Sequence, residues 1–187
     1  MSQFDREKWD AKYAVEANAP RQPSQGLLAL EAFLPQSGRA LEIAAGGGRH
    51  AIWLAERGLE VTAADISPVG LAIAARRARQ ANVSLRTLEI DLEQQPFPAG
   101  PWDVILSVCY LQRELFAEYP RRLALGGRLI VIQPTVKNLE RHAKPPRDFL
   151  LAEGELRTLA GPLEVLHYGE GWSADDRHDA VLVAERG

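Results

Sequence analysis

Three acids and a run of glycines carry the chemistry legible in this sequence. Glu42 stands inside the apolar stretch ALEIAA (residues 40–45), and Gly46-Gly47-Gly48 follows at once. Asp65 closes LEVTAA (59–64), and Asp91 follows a third strand-like run over 83–90. Glycines between a strand and a helix let the backbone approach a ligand, which in such units sits beside the helix N-terminus, beyond the carboxyl ends of the strands. Gly46-x-Gly48-x-x-Ala51 even fits the dinucleotide fingerprint, with Asp65 about where the ribose-binding acid belongs. A tight turn that needs glycine only for packing would account for the same residues. Glu42 separates the cofactor classes: a pyrophosphate is anionic and repelled there, whereas a cofactor with an ammonium group is attracted. A row of carboxylates at successive strand ends suits a ribose, an exocyclic amine and an amino-acid amine. The 187 residues suit one domain, so no second domain is expected to hold a hydride acceptor opposite a nicotinamide. The combination points to S-adenosylmethionine.

The elements that must position these residues alternate from about residue 26 onward. Residues 40–45 read as a strand, and His50 to Arg57 carry helical spacing that Gly58 stops. Leu59 to Ala64 is the next strand. Ser67-Pro68 is an N-cap followed by proline at the first helical position, opening a helix to about Ala81. Val83 to Ile90 is a third strand, and Trp102 to Val108 a fourth, near-continuously apolar as a strand buried on both faces should be. A helix irregular around Pro120 is expected to end at Gly126-Gly127, before a fifth strand, Arg128 to Gln133. Residues 137–148 read as a basic loop. A short helix at 155–160 precedes two final strands, 163–168 and 179–185, with no helix-length crossover between them. The predicted fold is α/β: a doubly wound, Rossmann-like, seven-stranded and mostly parallel sheet with a C-terminal antiparallel hairpin.

Composition narrows the partners. The chain is 46% hydrophobic and 25% charged, enough to bury a core, and suits one domain over residues 1–187 with 1–35 as an N-terminal helical cap. Lys+Arg 22 against Asp+Glu 25 gives a net charge of -3, which argues against a nucleic-acid surface. The single cysteine, Cys109, excludes an internal disulfide and a multi-cysteine zinc site, and His142, His167 and His178 have no mutual metal-ligand spacing, so no metal is expected. The charged start MSQFDREKWD lacks a secretory signal, and no apolar run reaches a membrane span. The expectation is a cytoplasmic protein, monomer or weak homodimer, that meets a small molecule and neither nucleic acid nor membrane.

Taken in order, LEIAAGGGRH, VTAADIS, LEIDLEQQPFP, WDVILSV and LGGRLIVIQP resemble the successive motifs of the class I S-adenosylmethionine-dependent methyltransferases. The chain is similar in particular to small bacterial members of the tellurite-resistance and thiopurine-methyltransferase-like kind, which share a Trp–Tyr segment as in WDAKYA and late segments like DFLLAEGEL and EVLHYGEG. The resemblance covers almost the whole chain. It implies that Glu42, Gly46 and Gly48 surround the methionine portion of the cofactor, with Ala44 and Arg49 in the same loop. It implies that Asp65 accepts from both ribose hydroxyls, Ile66 packs on the adenine, and Asp91 accepts from the adenine amine beside Leu92. Ser107 would sit near the sulfonium. Ala44 and Ala45 depart from the pattern, standing where glycine and cysteine are frequent.

Methyl transfer from a sulfonium releases a neutral thioether and needs no general acid, so alignment and exclusion of water can carry it. The segment Ser107-Val108-Cys109-Tyr110 lacks the prolines of enzymes that methylate exocyclic base amines or cytosine C5. The expected acceptor is a small soft nucleophile, a thiol or a chalcogen oxyanion. Competing readings are an NAD-type oxidoreductase and a non-catalytic S-adenosylmethionine-binding sensor. Candidate acceptor residues are Trp9 and Tyr13, four apart on one helix face, with Tyr110 and Arg113 after the fourth strand and Trp172 as a further wall. Cys109 reads as a small buried hydrophobe. His50 reads as a helix-terminus residue near the cofactor.

Overall fold

The computed structural model describes residues 3–15, 19–174 and 176–187. Among the described residues, seven strands run β1 Gly38–Ile43, β2 Leu59–Asp65, β3 Leu85–Glu89, β4 Trp102–Val108, β5 Leu123–Pro134, β6 Glu164–Trp172 and β7 His178–Glu185. They form one sheet in the order β3-β2-β1-β4-β5-β7-β6. The helices are α1 Gln3–Ala14, α2 Gln25–Leu28, α3 Arg49–Glu56, α4 Pro68–Gln80, α5 Tyr119–Arg122 and α6 Glu155–Leu159. The doubly wound sheet with an antiparallel C-terminal end is the fold that the alternation of elements predicts. Two compact units divide the chain: Met1–Pro23 with Pro35–Pro98, and Ser24–Leu34 with Ala99–Gly187.

In the first unit β1 pairs with β2, and β2 with β3, both in parallel register. Leu41 and Ile43 of β1, Ala63 and Ala64 of β2, Ala51 and Leu54 of α3 and Ala74 of α4 are fully buried. The helix at Ser67-Pro68 begins as expected, with the Ser67 hydroxyl accepting from the Gly70 amide at 3.0 Å. α3 stops at Gly58, which adopts φ 89°, a conformation glycine reaches without a Cβ penalty.

In the second unit β4 and β5 pair in parallel, while β7 pairs antiparallel with both β5 and β6. Ile105-Leu106 and Leu129-Ile130-Val131-Ile132 are consecutive and all buried, so both faces of these strands are covered; hence their unbroken apolar runs. The helix expected before Gly126-Gly127 is replaced by a 3₁₀ turn, Arg113–Ala117, and the single turn of α5. Pro120 sits in the first turn of α5, where its ring bars continuous helix with the carbonyl four residues earlier. The basic segment 137–148 is likewise not a plain loop: 3₁₀ turns occupy Val136–Glu140 and Arg147–Phe149.

Candidate functional site

The site builds from the carboxyl end of β1. The chain leaves the sheet through Ala44 at φ 52°, and Gly46 (φ 52°) and Gly48 (φ 75°) complete a turn that starts α3 at Arg49. The two glycines are needed for different reasons. A Cβ on Gly48 would lie 2.5 Å from the Ala74 Cβ, so Gly48 permits α3 to pack on α4. A Cβ on Gly46 would lie 2.2 Å from the Tyr13 hydroxyl oxygen, so Gly46 lets the Tyr13 ring come down onto the turn.

Asp65, the last residue of β2, is buried and oriented by two amides. Gly46 N donates to Oδ2 at 2.7 Å and Ser67 N to Oδ1 at 2.8 Å. A carboxylate offers about four acceptor sites, so Asp65 keeps acceptor capacity beyond these bonds. Burial raises the Asp65 pKa above the usual carboxylate range and the nearby Glu42 charge adds to this, while the backbone amides of Ser67, Gly46 and Ile66 oppose it. Glu42 lies deeper, 2% exposed. Its Oε1 is 2.9 Å from His50 Nδ1, whereas Oε2 is buried with no hydrogen-bond partner among the described residues. Leaving a buried acceptor unmet costs about 1–3 kcal/mol, which an incoming donor recovers. Ile66, next to Asp65 in the chain, and Leu92, next to Asp91, are both buried. Asp91 directly follows Ile90, whose amide donates to the Asp65 carbonyl at 2.9 Å, and its own Oδ1 accepts from Glu93 N at 3.0 Å.

One face of α1 meets these strand ends. Arg6 pairs with Glu89, Asp10 accepts from the Ser67 hydroxyl at 2.5 Å, and Tyr13 reaches Gly46 and Gly70. Burial, followed by the charges of Asp65 and Glu42, raises the Tyr13 hydroxyl pKa; Arg49 acts in the opposite sense. Trp9 and Tyr13 do share a face, with their rings stacked at 6.0 Å between centroids and Lys12 4.3 Å from the Trp9 centroid. Arg49 also donates to the Gln22 carbonyl at 3.2 Å. The sequence reading did not anticipate the His50 contact to Glu42 or the Asp10 contact to Ser67. Both depend on how the chain folds back, and no short spacing marks them.

The remaining candidates lie in the second unit. Ser107 is buried in β4, its hydroxyl donating to the Tyr110 carbonyl at 3.1 Å and hydrogen-bonded to Tyr119. Tyr110 donates to Gln112 Oε1 at 2.8 Å. Arg113 forks onto Glu155 at 2.5 and 3.1 Å and also donates to the carbonyls of Asp148 and Leu150, each at 3.2 Å. Four of its five N–H groups are thereby engaged in tying the turn after β4 to α6. Cys109 is exposed and holds φ 57°, which corrects the expectation of a buried thiol. The reason is local: the chain turns out of the sheet at this residue. Trp172 lies under the Arg141 guanidinium at 3.6 Å and edge-on to His178 at 5.4 Å, and Arg141 also pairs with Asp176 at 2.8 Å.

A glycine turn, a carboxylate with spare lone pairs and a buried carboxylate oxygen without a donor fit a ligand that brings ribose hydroxyls and an ammonium. Residues 40–127 match the family model described as a methyltransferase domain. That match spans slightly under half of the chain, and the fold is the one that S-adenosylmethionine-dependent methyltransferases of known structure adopt. Among curated relatives, the demethylmenaquinone methyltransferase of Thermus thermophilus is 40% identical over 104 residues, covering 51% of this chain and 46% of that protein. The chain thus spans about half the length of such relatives. Solved structures that share the fold include TehB from Haemophilus influenzae (TM-score 0.73, 19% identity, 96% of this chain and 67% of that one) and a TehB-like S-adenosylmethionine-dependent methyltransferase from Corynebacterium glutamicum (TM-score 0.66, 18% identity, 100% of both). No helix among the described residues is long and apolar enough to cross a membrane.

Proposed function

We propose that this protein transfers the methyl group of S-adenosylmethionine to a small soft nucleophile, a thiol or a chalcogen oxyanion. The observation that carries the cofactor half is the pairing of Asp65, fixed by two amides, with the donor-less Oε2 of Glu42 on adjacent strand ends. In this reading the spare lone pairs of Asp65 accept the ribose hydroxyls, and Oε2 of Glu42 accepts the ammonium of the amino-acid arm. Gly46 lets that arm pass close to the backbone, Ile66 and Leu92 supply apolar cover for the adenine, and Asp91 accepts from its amine. Arg49 stands beside the same turn and complements a carboxylate. When bound, the cofactor supplies a methyl group on a sulfonium: the acceptor's lone pair forms the new bond to carbon as the sulfur–carbon pair returns to sulfur. The chain's part is then to bind, align and exclude water, for which orientation alone can supply about 7–11 kcal/mol.

The acceptor half rests on that chemistry and on the family resemblance. An acceptor that is already ionised at neutral pH needs alignment and dehydration rather than a base, which fits thiolates and reduced selenium or tellurium species. A nicotinamide cofactor is disfavoured by the Glu42 carboxylate, buried two residues before the turn where a pyrophosphate would lie. The test is radiolabelled methyl transfer across matched panels of thiols, selenite, tellurite, small amines, quinones, RNA and protein. Label should appear in the thiols or chalcogens. Label confined to RNA, protein, amines or quinones would overturn the acceptor assignment and leave the cofactor assignment standing.

A further inference from the structure

We infer that His50 is a positioning residue that makes the cofactor site selective for the ammonium of the amino-acid arm, by fixing the Glu42 carboxylate; the inference rests on the cofactor reading above. The turn over residues 44–48 folds α3 back so that His50, in its first turn, faces the end of β1. Both side chains are almost wholly enclosed, 5% exposed for His50 and 2% for Glu42. With a carboxylate opposite, Nδ1 carries the hydrogen and donates to Oε1 at 2.9 Å. The terminal torsion of a glutamate is broad and roughly two-fold, so an unrestrained carboxylate would present either oxygen at many angles. The His50 bond removes that freedom and leaves Oε2 as the buried acceptor without a donor. A carboxylate accepts and never donates, so the missing partner is a donor, and a cationic one answers the charge as well. Selectivity follows because an unmet buried acceptor discriminates strongly between a ligand with the matching donor and one without it.

The prediction separates His50 from a residue that merely supports the fold. S-Adenosylhomocysteine carries the amino-acid arm; 5′-methylthioadenosine has the same nucleoside and sulfur but lacks that arm. For His50→Phe, calorimetry should show S-adenosylhomocysteine weakened about tenfold or more and 5′-methylthioadenosine changed less than twofold. His50→Asn, whose amide can stand in for Nδ1–H, should recover most of the loss and also guards against misfolding of the phenylalanine variant. In the background of Glu42→Gln, His50→Phe should have little further effect on S-adenosylhomocysteine. Equal weakening of both ligands, or no weakening of either, would overturn the positioning role. Failure of the unmodified protein to bind either ligand would overturn the cofactor reading itself, and the inference with it.

Discussion

Ala44 and Asp65 give the sharpest predictions about single side chains. Ala44 holds φ 52°, where a Cβ is disfavoured and glycine is at ease. Ala44→Gly should therefore raise stability by about 0.5–1 kcal/mol, a net figure because glycine also loosens the unfolded chain. Urea unfolding measures this through the midpoint at constant slope, and a lowered midpoint would contradict it. On the proposed cofactor reading, Asp65→Ala removes the acceptor for both ribose hydroxyls; hydrogen bonds to a charged group contribute about 1.5–3 kcal/mol each, so S-adenosylhomocysteine affinity should drop at least tenfold in a folded variant. The raised Asp65 pKa, caused first by burial, gives two pH dependences of opposite sense. Ligand binding needs the carboxylate, so affinity should fall on acidification as pH drops through the raised native pKa. The contribution of Asp65 to folding runs the other way: it is fully present below the unfolded pKa and lost as pH rises through the native one. Binding and urea titrations of the unmodified protein and Asp65→Ala across this acidic range should diverge in these senses, and parallel curves would contradict the assignment.

At the scale of elements, α1 is held by side chains rather than by a buried apolar face: none of its residues is fully buried. Arg6, Asp10 and Tyr13 lie on one face at helical spacing and meet Glu89, Ser67 and Gly46 in turn. The Arg6–Glu89 pair is solvent-accessible and contributes little, so Asp10 is the informative member. Asp10→Ala should speed hydrogen exchange of the α1 amides several-fold, about 1 kcal/mol of local stability, and leave the β1 and β2 amides unchanged. Unaltered α1 exchange would show that this bond does not hold the helix. Elements whose pattern is set by burial were legible in the sequence: β4 and β5 by their apolar cores, α4 by its Ser67-Pro68 start. Elements set by local chain geometry were less so. β1 ends at Ile43 rather than Ala45 because Ala44 leaves the extended region, and Pro120 divides the expected helix before β5 into separate turns. In the site, Glu42, Asp65 and Asp91 were readable because strand ends place them. The His50–Glu42 bond was not, since it exists only once the glycine turn has folded α3 back.

At the scale of the whole molecule, the sheet order β3-β2-β1-β4-β5-β7-β6 puts β1 and β2, which carry Glu42 and Asp65, side by side. In doubly wound sheets, ligands gather at the carboxyl ends of the strands. β7, inserted antiparallel beside β5, completes the sheet in the way the short link between the last two strands foretold. The net charge of -3 favours a small acceptor over an anionic polymer, and the matched panel of acceptors described above is the check on it. Every role assigned to the strand ends depends on the cofactor. Isothermal titration of the purified protein with S-adenosylmethionine, S-adenosylhomocysteine and NAD tests it most directly. The two sulfur ligands should bind with dissociation constants in the micromolar range and NAD should give no saturable heat. Saturable binding of NAD with no response to S-adenosylmethionine or S-adenosylhomocysteine would contradict it.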